Sequence, residues 1–235
     1  MSISKKIKAA GANASMIRKM FEQGAILKKK FGADKVYDFS LGNPNVDPPK
    51  EIERELVKLA QEVIPYKHGY MPNAGYPDTR QAIADKMNKT YGLELKADHL
   101  VMSCGAGGAL NVILKSILDP QDEVIVPVPF FMEYTPYVEN YGGVLKKVKT
   151  KEDFSLDVEG MERAVNEKTK AIIINSPNNP TGKVYSEKNI ADLSSMLAKK
   201  SNELKTTIYL ISDEPYREIV YDDVAVPCTF KTYKN

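Results

Sequence analysis

The stretch 171–186 reads AIIINSPNNPTGKVYS: four consecutive aliphatic residues, then a run of Asn, Pro, Thr and Gly. Four β-branched or aliphatic positions bounded by turn-formers read as a strand buried on both faces. Asn, Pro and Gly each favour turns for separate reasons, so Asn175 to Gly182 is a tight loop. Such a loop either connects the strand to the next helix or holds a ligand where the strand ends. The stretch alone does not choose.

Working outward, the same alternation recurs from residue 98. HLVMS (99–103) reads as a strand and GALNVILKSIL (108–118) as a mostly buried helix. DEVIVPVP (122–129) is strand-like, and GVLKKVK (143–149) alternates as an edge or half-buried strand does. VEGMERAVN (158–166) is helical and KAIIIN (170–175) a strand. SEKNIADLSSMLAKKS (186–201) opens with Ser186 as N-cap and has apolar residues at 190, 193 and 197. TIYLISDEPY (207–216) closes the series. Strand–helix alternation predicts a parallel sheet covered by helices.

The earlier part differs. FSLGNPNVDPPKEIERELVKLA passes from a short strand through a Pro-rich loop into a helix starting near Lys50, whose EIERE face is solvated. YMPNAGYPDTRQAIADKM is a Gly/Pro loop and another helix. The loop at 42–49 marks the expected boundary, with residues 1–45 as an N-terminal arm and 46–235 as the main domain.

Composition bounds the partners. Of 235 residues, 43% are hydrophobic and 27% charged, as in ordinary soluble domains, and the formal net charge is +2. No basic face is set apart, which argues against nucleic acid. No apolar run approaches a membrane span. Residues 1–31 lack the apolar core of a signal peptide and read as a surface helix. Cys104 and Cys228 have no metal-ligand spacing, and a reduced, cytosolic setting is expected. Their pairing is left open.

In open parallel sheets, ligands bind beyond the carboxyl ends of the strands. At those positions stand CGAGGAL, FFMEY, the 175–186 loop and DEPY. Gly105, Ala106 and Gly107 suit a phosphate at a helix start, or simply a tight turn. An aromatic in FFMEY suits a planar ligand or the core. Asp213, leaving an apolar strand, needs a partner, and a protonated ring nitrogen would serve. Tyr216 and Asn179 then donate to an oxygen of the same ring, or all three form a structural network. Together the inventory matches pyridoxal phosphate.

These segments resemble the fold-type-I pyridoxal-phosphate enzymes, specifically the aspartate/aromatic-type class I and II aminotransferases. The resemblance rests on SLGNPNVDPP, GYMPNAGYPDTR, SCGAGGALNVIL, DEVIVPVPFFMEY, NSPNNPTG and SDEPYREIVYD, in family order. It implies a three-layer, mostly parallel α/β large domain, with the start of a small domain within residues 1–45. It implies that Asp213 pairs with the pyridine nitrogen, that Tyr216 and Asn179 bond the ring oxygen, and that Phe131 stacks on the ring. Gly105, Ala106 and Gly107 would meet the phosphate, although the family often carries Thr or Lys where Gly107 stands. Tyr70 would reach the phosphate of a neighbouring subunit, implying a homodimer, and Gly42 would lie against the substrate carboxylate.

The family's Schiff-base lysine follows the Asp-x-x-Tyr motif in a Ser-x-x-Lys-like segment, which is expected beyond Asn235. Lys183, Lys231 and Lys234 lack that context and read as surface lysines. His68 reads as a loop residue and His99 as a rim residue at the start of a strand. The expected activity is transfer of an amino group from an amino acid to a 2-oxo acid. Residues 1–235 by themselves are expected to be inactive. A fold-type-I lyase is the alternative within the fold. A non-catalytic coenzyme-binding module or inactive fragment is the alternative outside it.

Overall fold

The computed structural model describes residues 3–5, 7–8, 16–39, 42 and 46–233. Two compact units divide between Gly69 and Tyr70, after the helix that follows the 42–49 loop.

The first unit holds helix α1 (Met16–Phe31) and helix α2 (Lys50–Gln61). The expected surface helix thus exists over Met16–Phe31. Lys28 pairs with Asp38 at 2.9 Å. Helix α2 starts at Lys50 as its sequence suggests, and its EIERE face is exposed. The Lys67 ammonium donates to the carbonyls of Leu59, Ala60 and Glu62, which helix geometry leaves without partners at a C-terminus. Of the short strand expected near residue 40, Phe39 has no strand pairing, while Ser40 and Leu41 lie outside the described residues.

The second unit is built on four strands: β1 (Glu123–Val128), β2 (Val144–Lys149), β3 (Thr169–Asn175) and β4 (Tyr209–Asp213). They form one sheet in the order β2-β1-β3-β4, with every pair parallel. Its helices are α3 (Pro77–Tyr91), α4 (Gly105–Ile117), α5 (Tyr134–Glu139), α6 (Val158–Ala164) and α7 (Glu187–Leu204).

Side chains alternate across a strand, so the aliphatic runs feed two cores at once. Val124 and Val126 of β1, with Ala171 and Ile173 of β3, pack against Leu110 and Leu114 of α4 and Val138 of α5. Ile125, Ile172 and Ile174 face the other way, onto Met161 of α6 and Ile190, Leu193 and Leu197 of α7. The result is helix, sheet, helix: the expected three layers. Each fully buried aliphatic side chain contributes roughly 1.5–3 kcal/mol, and β3 has three buried isoleucines. β2 is the edge strand its alternating pattern suggests. Ser186 caps α7, its hydroxyl accepting from the Asn189 amide at 3.1 Å.

Three readings need correction. Residues 99–103 are not a strand. His99 ends a short 3-10 turn (Ala97–His99), so it does not begin one. The backbone beyond is extended at Leu100, and its described link is the Met102 amide to the Ala74 carbonyl. A strand needs a ladder partner, and none stands beside it among the described residues. Lys183 is not a free surface lysine: it is half-buried and pairs with Asp153 at 3.0 Å. Lys231 is exposed as expected, His68 is exposed, and Lys234 lies outside the described residues. Both cysteines are free. No described helix is long and apolar enough to cross a membrane, and no metal-ligand cluster occurs among the described residues.

Candidate active site at the carboxyl ends of the strands

A cavity of about 210 Å³ opens where β3 and β4 end. Ala106, Gly107, Phe131, Asn179, Asp213 and Tyr216 all line it, with Asn175 and Tyr137. Six residues singled out in four separate segments therefore meet at one place. Gly105 is the next residue along from this lining. Tyr70 is fully exposed, and Gly42 is exposed in the first unit.

The parallel register explains how the polar groups meet. Asn175 of β3 stands beside Asp213 of β4, the last pair of that ladder. The Asn175 amide Nδ2 donates to the Asp213 carbonyl at 2.8 Å, and its Oδ1 accepts from the Asn179 amide N–H at 2.6 Å. One buried side chain thus ties the loop to the neighbouring strand. Asn179 Nδ2 in turn lies 3.4 Å from the Tyr216 hydroxyl.

The Asp213 carboxylate is half-buried and accepts from the Tyr134 hydroxyl at 2.6 Å. Burial pushes its carboxyl above the usual range; the Tyr134 bond opposes this and Glu214 adds to it. Tyr134 is buried, and burial followed by its bond to Asp213 holds its phenol far above its ordinary value. The phenol therefore remains a donor throughout the neutral range. No Lys or Arg among the described residues pairs with Asp213, so a cation entering the cavity would relieve its desolvation. Phe131 meets the Tyr134 ring edge-on, with centroids 5.6 Å apart, and presents its own ring to the cavity.

The phosphate-suited turn begins at Gly105, whose φ of +70° lies in the left-handed region that glycine adopts without penalty. A β-carbon there would meet nothing within 4 Å, so the space above the turn is open. The Gly105 N–H donates to the Ser103 carbonyl at 3.0 Å, while the amides that follow it in the first turn of α4 have no carbonyl a turn earlier to bond.

Sequence reasoning missed Tyr134, Tyr137 and Asn175. The first two lie on α5, which it did not identify because Pro136 interrupts YTPYVE. Proline is tolerated in a first helical turn, where an N–H has no partner to lose. The aromatic pair three apart was the available signal. Asn175 was read only as the end of its strand.

A carboxylate without a cationic partner among the described residues, an amide beside a phenol, a ring and a glycine turn at a helix start around one cavity match the fold-type-I pyridoxal-phosphate class. A family model described as aminotransferase class I and II matches residues 34–235. "Probable aspartate/prephenate aminotransferase" of Aquifex aeolicus is 38% identical over 190 residues, 80% of this chain and 46% of its own length. Aspartate aminotransferase of Pyrococcus abyssi is 36% identical over 215 residues, 90% of this chain and 51% of its own. The crystal structure of an amino transferase from Eubacterium rectale superposes with a TM-score of 0.95 at 39% identity, covering 100% of this chain and 60% of that one. The chain belongs to the class I and II aminotransferases. It spans about half the length of the curated relatives it matches. Members of the family use pyridoxal phosphate, and the donors and acceptors around this cavity fit that coenzyme.

Proposed function

We propose that this chain forms the coenzyme-binding part of an amino-acid aminotransferase that passes an amino group to a 2-oxo acid. The observation that carries the reading is Asp213: a half-buried carboxylate with no cation among the described residues, beside an Asn179–Tyr216 pair in one cavity. In this reading Asp213 holds the proton on the coenzyme's pyridine nitrogen, with Tyr134 orienting the carboxylate. Bound there, the coenzyme supplies an electron sink for the carbon that carries the amino group. Asn179 and Tyr216 bond the ring oxygen, and Phe131 covers a ring face. Gly105, Ala106 and Gly107 would border the phosphate, with the amides of Ala106 and Gly107 donating to it while the Gly105 N–H is held by the Ser103 carbonyl.

Residues 46–235 would make up the large domain, and 1–45 the arm and start of the small one. The enzyme is read as a cytoplasmic homodimer with shared sites, in which Tyr70, fully exposed here, would serve the phosphate of the second copy. Gly42 faces the substrate carboxylate. Lys183 is committed to Asp153 and Lys231 lies in an exposed turn, so neither is assigned the role of moving the proton. The relatives' names favour amino transfer over a lyase reaction.

The test uses the purified product of the complete reading frame with pyridoxal phosphate and an amino donor such as aspartate. Formation of the corresponding oxo acid only when a 2-oxo acid acceptor is added is the expected result. Release of ammonia or a cleaved side chain without any acceptor would overturn it in favour of a lyase.

A further inference from the structure

Gly107 offers no side chain at the cavity, yet a hydroxyl stands over it. The Tyr137 hydroxyl lies 3.0 Å from the point where a β-carbon at residue 107 would be. Tyr137 lines the cavity from α5, which packs on α4 beside the glycine turn. Its hydroxyl makes no hydrogen bond to another described residue, whereas the neighbouring Tyr134 hydroxyl is committed to Asp213. From this juxtaposition we infer that Tyr137 is a phosphate-binding residue, its hydroxyl donating to the coenzyme phosphate in place of a side chain at 107.

The inference rests on the coenzyme reading above and deepens it. Glycine at 107 and tyrosine at 137 are then two halves of one solution: any β-carbon at 107 would crowd the hydroxyl. Burial first, then Glu133 and Asp213, raises the Tyr137 phenol above its ordinary value, so it keeps its proton at neutral pH and can only donate to a dianion. Bonds from a neutral hydroxyl to a charged oxygen are among the stronger ones.

The experiment measures dissociation constants by absorbance titration for pyridoxal phosphate and for pyridoxal, which lacks the phosphate. It uses the complete reading-frame product and its Tyr137→Phe, Gly107→Ser and double variants. Tyr137→Phe is expected to weaken pyridoxal phosphate roughly tenfold, about 1.4 kcal/mol, and to leave pyridoxal unchanged. Gly107→Ser should weaken the phosphate form by crowding Tyr137, and the double variant should recover affinity because the serine hydroxyl then has room. Equal loss for both ligands, or no loss for either, would overturn the role of Tyr137. Failure of the unmodified protein to bind pyridoxal phosphate would instead overturn the coenzyme reading itself.

Discussion

Asp213 and Tyr134 are coupled: among the described residues, the phenol supplies the one side-chain hydrogen bond that offsets the desolvation of the carboxylate. Tyr134→Phe keeps the ring contact with Phe131 but leaves Asp213 less satisfied. We expect a loss of about 1–3 kcal/mol in unfolding free energy at neutral pH, the range for leaving a buried polar group unpaired, measured by urea denaturation. The sign of the pH dependence follows from the raised carboxyl. Without coenzyme, Asp213 favours its protonated form more in the folded chain than in the unfolded one. Its contribution to stability is therefore fully present below the unfolded carboxylate pKa, near 3.9. It is lost as pH rises through the higher folded value. Asp213→Asn should flatten that part of the stability profile; an unchanged slope would exclude Asp213 as its source. At this scale Asp213, Asn179, Tyr216 and Phe131 were legible, because each stands at the end of an apolar strand or within a few residues of it. Asn175 was not, since a buried asparagine reads the same in sequence whether it ties a loop or merely ends a strand.

Elements were legible where their apolar pattern closes on itself. The runs VIV in β1 and AIII in β3 declare two-sided burial, and α7 declares its one buried face at 190, 193 and 197. The segment after His99 has a comparable apolar pattern but no ladder neighbour among the described residues, which a local pattern cannot reveal. Helix α5 was missed because Pro136 masks so short a helix. The turn into α4 makes its own prediction. Gly105 has a positive φ and open space around its α-carbon, so Gly105→Ala meets no collision and suffers only the backbone penalty. That penalty is about 1–2 kcal/mol, read as a lowered urea midpoint at unchanged slope. A variant as stable as the parent would mean the turn relaxes. By contrast, Ile173→Ala at a fully buried position of β3 should cost about 2–5 kcal/mol, because both sheet faces are close-packed there.

For the whole molecule, the sheet has a strand on only one side of β4 among the described residues, and Tyr209 on that strand is exposed. An unpaired edge next to apolar surface is a template for association. A polypeptide of residues 1–235 alone is therefore expected to self-associate in light scattering and to show no amino transfer in a coupled assay. Monodisperse monomer with measurable transamination would contradict both expectations. The central claim is narrower: the cavity at the strand ends holds pyridoxal phosphate through Asp213. Its most direct test is a titration of the complete reading-frame product with pyridoxal phosphate, followed by the absorbance and induced circular dichroism of the coenzyme, beside Asp213→Ala. Saturable binding with an induced signal, weakened at least roughly tenfold by the substitution (about 1.4 kcal/mol), is the predicted result. Saturable binding of equal strength in both proteins would place the coenzyme elsewhere and contradict the account.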